Sequence, residues 1–193
     1  MTAGERGRIY ADELAAALRA LPFDTITLVG DLLADACRNG AQVFIIGNGG
    51  SAATASHMAC DLAKTTLGKV ADLPARRLRA LALTDNVPLI TAWANDVSYD
   101  SVFSEQLRGL ARAGDVLIAI SASGNSPNIL RCLEAARELG VKTVGFLGFG
   151  GGAALALCDL AVVVDSRDYG IVEDAHSALN HMLTASLKAV VGP

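Results

Sequence analysis

Hydrophobic positions along the chain follow two rhythms. Over the first forty residues they recur at helical spacing: Leu14, Leu18 and Leu21 stand at i, i+4 and i+7 before Pro22 ends the run. Asp24 is the expected cap of a second helix carrying Ile26, Leu28, Val29, Leu32, Leu33 and Ala36, closed by Asn39-Gly40. That helix presents more apolar surface than one core face requires. The leading helices are therefore expected to pack in an oligomer.

From residue 41 the rhythm shortens. Val43–Ile46, Leu81–Leu83, Val116–Ile120, Val141–Leu147 and Leu160–Val164 are short apolar runs without polar alternation. Such runs are buried on both faces, as in a parallel sheet covered by helices. Helical stretches separate them at Ser51–Lys64, Val87–Asn95 and Pro127–Leu139, the last capped by Gly140, and a final helix runs from Ile171 to about Val191. Strand, turn and helix alternate throughout. The prediction is a doubly wound, mainly parallel five-stranded α/β sheet flanked by helices. One domain is expected over residues 1–193, with leading helices at 1–40, a core at 41–170 and a closing helix at 171–193.

Composition sharpens this picture. The chain is 52% hydrophobic and only 19% charged, against the usual ~25% charged. For 193 residues that leaves too little polar surface for a monomer, which again points to an interface. A net charge of −4 excludes a global basic field for nucleic acid. No apolar signal core opens the chain and no run is long enough for a membrane span, so a cytoplasmic protein is expected. Cys37, Cys60, Cys132 and Cys158 are scattered without a CxxC pair, as for reduced thiols buried like small apolar residues.

Candidate chemistry lies in two turns that follow strands, where open α/β sheets bind ligands. Ser121-Ala-Ser-Gly-Asn-Ser126 sets three hydroxyls before Pro127, the first residue of the next helix. Free N–H groups and the positive dipole end there stabilise an anion without Lys or Arg. An ordinary serine cap also fits, but three serines with a glycine favour a phosphate cradle at Ser121, Ser123 and Ser126. Gly47-Asn-Gly-Gly-Ser51 lacks both the GxGxxG spacing and a P-loop lysine, which argues against nucleoside triphosphates. Its Asn48 and Ser51 can hydrogen-bond sugar hydroxyls, and its glycines, Gly49 among them, allow close approach.

These turns, with His57, Ala94-Asn-Asp96, His176 and His181, resemble the sugar isomerase (SIS) family, and within it the phosphoheptose isomerases, over residues 10–190. The resemblance implies a flavodoxin-like sandwich and a homotetramer with active sites at subunit interfaces. It also implies substrate contacts from Asn48, Gly49, Ser51, Asn86, Asp96, Ser121, Ser123, Ser126, Asp168 and Glu173. His57 and Asp61 are four apart on one helical face. Glu173 and His181 are eight apart, about 80° around and ~12 Å along their helix, while His176 lies about 140° from His181 and points elsewhere. Taken singly, each histidine reads as a hydrogen-bonded helical residue rather than a metal ligand. The resemblance implies that His57, Asp61, Glu173 and His181 hold one Zn²⁺, a donor set that also suits Fe, Mn or Ni.

Two positions depart from that family, where Glu is usual at position 61 and Gln at 173. The implied reaction converts D-sedoheptulose 7-phosphate to D-glycero-D-manno-heptose 7-phosphate, in activated-heptose synthesis, by metal-assisted proton transfer through an enediolate. Asp61 or Glu173 is the expected base and His181 the acid. The alternatives are a non-catalytic adaptor that binds a replication-initiator protein and an isomerase for another phosphorylated ketose. Retention of the histidines and carboxylates disfavours the adaptor. A third reading is a sugar-phosphate sensor of the kind fused to a DNA-binding module, though residues 1–193 show no such module and no basic stretch. Neither nucleic acid nor membrane is expected as a partner.

Overall fold

A computed structural model describes residues 1–67 and 77–191, with backbone only at 190 and 191. The expected boundary at 193 lies outside the described residues. In chain order the elements are α1 (Ala3–Arg19), α2 (Phe23–Asn39), β1 (Gln42–Gly47), α3 (Gly50–Lys64), β2 (Arg79–Ala82), α4 (Val87–Asp96), α5 (Ser104–Leu110), β3 (Val116–Ser121), α6 (Pro127–Glu138), β4 (Lys142–Leu147), β5 (Leu160–Val163) and α7 (Tyr169–Val191). The five strands form one sheet in the order β2-β1-β3-β4-β5. Every pairing is parallel.

Alternate residues of each strand serve two cores, which explains the absence of polar alternation. Val43, Ile45, Val116, Ile118, Val144 and Phe146 face a layer built with α2, α3 and α7. Phe44, Ile46, Leu117, Ala119 and Leu147 face a layer built with α5 and α6. The strands need helices on both sides, and the chain supplies them.

The leading helices differ in detail from their apolar pattern. α1 begins at Ala3, because Thr2 forms a capping box with Glu5. Asp24 does not cap α2: Pro22 occupies the cap position, and Asp24 sits in the first turn, where its charge meets the positive dipole end. Gly40 closes α2 at φ 70°. α5 was not legible, being a seven-residue helix too short to show a period. Cys37 and Cys132 are buried and Cys158 is half-buried, but Cys60 is exposed on α3, against expectation.

Phe23 and Leu28 stand 53% and 54% exposed on α2. Phe23 borders a groove of about 480 Å³, lined also by Ile26, Gly30, Ala34, Met182, Leu183 and Leu187. Part of the excess apolar surface thus lies between α2 and α7. Among the described residues, no helix is long and apolar enough to cross a membrane.

Candidate functional site

The carboxyl ends of β1 and β3 lie side by side, so the turns that follow them are neighbours. Between them is a pocket of about 170 Å³ lined by Asn48, Ser51, Ser121, Ser123, Ser126, Tyr169 and Glu173. That is smaller than the roughly 300–1,000 Å³ of a drug-sized ligand site, and suits a compact polar group. Ser126 takes the cap position of α6 without a side-chain cap bond, leaving its hydroxyl for a ligand. The hydroxyl of Ser121 accepts from the Gly124 N–H at 3.1 Å, which tightens the turn. Gly124 needs its φ of +62°, and a Cβ there would strike the Gly151 carbonyl. The glycines at 148–152 therefore back the cradle rather than line it.

Glu173 completes the pocket from α7. Its Oε2 would lie 2.7 Å from a Cβ on Gly50, so glycine lets the carboxylate rest against the first turn of α3. A negative charge is favourable at that dipole end. Tyr169 packs edge-on against Phe149, with ring centroids 4.6 Å apart, at the mouth of the pocket. Three functional candidates escaped the sequence reading: Tyr169, Asn128 and Tyr99. Asn128 exchanges amide hydrogen bonds with Asn48, and the Tyr99 hydroxyl donates to Asn48 Oδ1 at 3.2 Å. Only Asn128 carried a local signal, its place in the first turn after Pro127.

Farther along α3 and α7 a second cluster forms. Asp61 Oδ2 lies 3.3 Å from His57 Nε2 and 3.7 Å from His181 Nε2. The two imidazoles meet edge-on with centroids 5.0 Å apart. One donor atom from each of the three residues falls within 4.8 Å of the others. Both histidines are about half exposed, whereas Asp61 is 13% exposed. Two imidazoles and a carboxylate, open to solvent on one side, fit a divalent transition metal that keeps a position for a ligand. Glu173 is not in this group. It lies on α7 about 12 Å of helix rise before His181.

Of the remaining expected contacts, Asn86 and Asp168 each bond a backbone N–H. Asn86 Oδ1 caps α4 by accepting the Leu89 N–H at 3.1 Å, and it lines a separate recess with Asp85 and Gln106. Asp168 Oδ1 accepts from the Ile171 N–H at 3.1 Å in the first turn of α7, facing a cleft with Glu13 and Asp165. Asp96 ends α4 and accepts from Asn95 Nδ2 at 2.8 Å. Gly49 precedes α3 at φ 54°.

His176 turns away from both clusters, as its angle around α7 predicts. It is fully buried against Phe146, with ring centroids 6.2 Å apart. Burial pushes its pKa down to about 4, and the nearby Leu147 peptide opposes this only weakly. Neither ring nitrogen makes a hydrogen bond of normal geometry.

A family model described as SIS domain matches residues 9–148. A phosphoheptose isomerase of Pelobacter propionicus is 42% identical over 151 residues, which cover 78% of this chain and 77% of the relative. Among solved structures, a phosphoheptose isomerase from Neisseria gonorrhoeae aligns with a TM-score of 0.88 at 30% identity, covering 97% of this chain and all of that one. One from Francisella tularensis aligns with a TM-score of 0.90 at 28% identity, over 98% of this chain and all of that one.

Proposed function

Because the chain belongs to the SIS family, among the phosphoheptose isomerases, we propose that this isomerase converts D-sedoheptulose 7-phosphate to D-glycero-D-manno-heptose 7-phosphate. One observation carries the reading. The helices whose first turns help line the serine pocket, α3 and α7, also bring His57, Asp61 and His181 together farther along. From Ser51 to His57 is about 9 Å of helix rise. A phosphate held by one end of this arrangement leaves several carbons of an open-chain sugar to reach the other.

Ser121, Ser123 and Ser126 receive the phosphate, helped by the N–H groups at the start of α6. Remote binding of this kind orients the reacting end. Asn48 and Ser51 hold sugar hydroxyls, with Glu173 beside them. His57, Asp61 and His181 hold the metal, Zn²⁺ fitting the donor set. A metal held there would supply Lewis-acid polarisation of the sugar carbonyl.

Isomerisation then needs one base and one acid. The base removes a proton from C1 of the ketose, leaving an enediolate, and returns it to C2. The acid moves a proton between O2 and O1, so the ketone becomes an alcohol and the C1 alcohol an aldehyde. Asp61 is favoured over Glu173 as the base because it shares a cluster with His181, the acid. Its Oδ1 accepts a bond from Thr65 Oγ1 at 3.0 Å, and a carboxylate oxygen has a second lone pair for the proton.

We further read the apolar groove between α2 and α7 as part of a homotetramer interface, and the protein as cytoplasmic. Gel filtration at monomer mass contradicts the tetramer. The deciding experiment on function is incubation with sedoheptulose 7-phosphate and Zn²⁺, followed by NMR. An aldose signal is expected. Turnover of a different ketose phosphate instead overturns the substrate, and binding to a replication initiator without turnover favours the adaptor.

A further inference from the structure

The carboxylate of Asp61 is held from both sides by residues outside the His57–Asp61–His181 group. Thr65, one turn later on α3, donates its hydroxyl to Oδ1 at 3.0 Å. From α7, Asn180 Nδ2 donates to Oδ2 at 2.9 Å. This Oδ2 is the atom that faces His57 and His181. Asn180 is fully buried, and its own orientation is set in turn. Thr184 Oγ1 lies 3.4 Å from Asn180 Oδ1, with its hydroxyl placed to donate. A flipped amide would set carbonyl oxygen against carboxylate oxygen, so only one orientation satisfies both ends.

We propose that Asn180 is a positioning residue for the metal site, acting through Asp61. This rests on the reading that His57, Asp61 and His181 hold a divalent ion. An aspartate carboxylate turns about two side-chain torsions, and each wrong orientation takes Oδ2 away from the two imidazoles. The amide removes that freedom before an ion arrives. Thr184 fixes the amide as the amide fixes the carboxylate. Outer partners of this kind change metal affinity by roughly 10–100-fold when removed. An asparagine that only stabilised the α3–α7 contact would change folding stability without moving the Co²⁺ bands.

The test measures Zn²⁺ affinity of the full-length chain by competition with a chromophoric chelator, and the visible spectrum of the Co²⁺ form. Asn180→Leu keeps the size and removes the donor. It is expected to weaken Zn²⁺ binding by roughly 10–100-fold and to shift the Co²⁺ bands. In an Asp61→Asn background the same change should cost no further affinity. Wild-type affinity in Asn180→Leu overturns the proposal, as does an equal loss in both backgrounds, which marks a structural role. If Asn180→Leu does not fold, Thr184→Val must show a smaller loss in the same direction, and an unchanged affinity there is also fatal. Failure of the unaltered chain to bind either ion removes the metal reading itself, and this proposal with it.

Discussion

Asn48 and Asn128 exchange two amide hydrogen bonds, each 2.9 Å, across 80 residues of sequence. One stands in the turn after β1 and the other in the first turn of α6, so the pair locks the glycine-rich turn to the serine turn. Asn128 is only 2% exposed, so its amide has no water as a ready substitute. Replacing Asn128 with Leu leaves Asn48 Nδ2 without its acceptor, while Asn48 Oδ1 keeps only the Tyr99 hydroxyl. The expected cost is about 1–3 kcal/mol, read as a lower Tm. KM for the phosphosugar should rise more than kcat falls, because the pocket is loosened while the His57–Asp61–His181 cluster is untouched. An unchanged KM shows that the turns hold without this bond.

Asp61→Asn keeps the shape of the side chain and removes its charge. Isomerisation should fall by at least ~100-fold, the scale expected when a base and its geometry are lost together. Chelation of the unaltered protein should abolish turnover, and added Zn²⁺ should restore it. Full activity after verified metal removal rules out a metal-assisted mechanism.

Gly124 offers a test of the cradle free of charge effects. An alanine there is doubly obstructed, by the φ of +62° and by the Gly151 carbonyl. The strain is on the order of 1–3 kcal/mol, and the turn should shift to relieve it. Inhibition by inorganic phosphate should weaken sharply. Gly114→Ala is the control, since its φ is +91° but nothing stands within 4 Å of a Cβ. That variant should lose some stability and keep phosphate inhibition; a parallel loss in both variants contradicts the cradle.

Buried His176 predicts how stability depends on pH. Its folded pKa of about 4 lies below the ordinary value near 6.5, so the unfolded chain takes up a proton first. Its contribution is neutral above pH 6.5. Stability then falls as the pH drops from about 6.5 to 4, by about 3 kcal/mol at most from this group. In urea melts across that window, His176→Leu should flatten the slope. An unaltered slope assigns it to the carboxylates instead.

The strands and most helices were legible because their signals are local. Val116–Ile120 has no polar residue because both of its faces are covered, and that demand is written in the run itself. The serine turn was legible for the same reason: Ser121, Ser123 and Ser126 share one pocket because they share one turn. His57 and Asp61 lie four apart on α3, and helical geometry alone puts them on one face.

The residues joined across the sheet were not readable that way. His181 meets Asp61, and Asn180 reaches it, only because α7 packs beside α3 on one face of the sheet. Glu173, expected with the metal ligands, instead rests on Gly50 because both helices begin near the same strand ends. Tyr99 and Asn128 reach Asn48 from 51 and 80 residues away. Sequence spacing governs what one turn or one helix face presents. Which faces meet is settled by burying both sides of a five-stranded sheet, a condition that belongs to the whole chain at once.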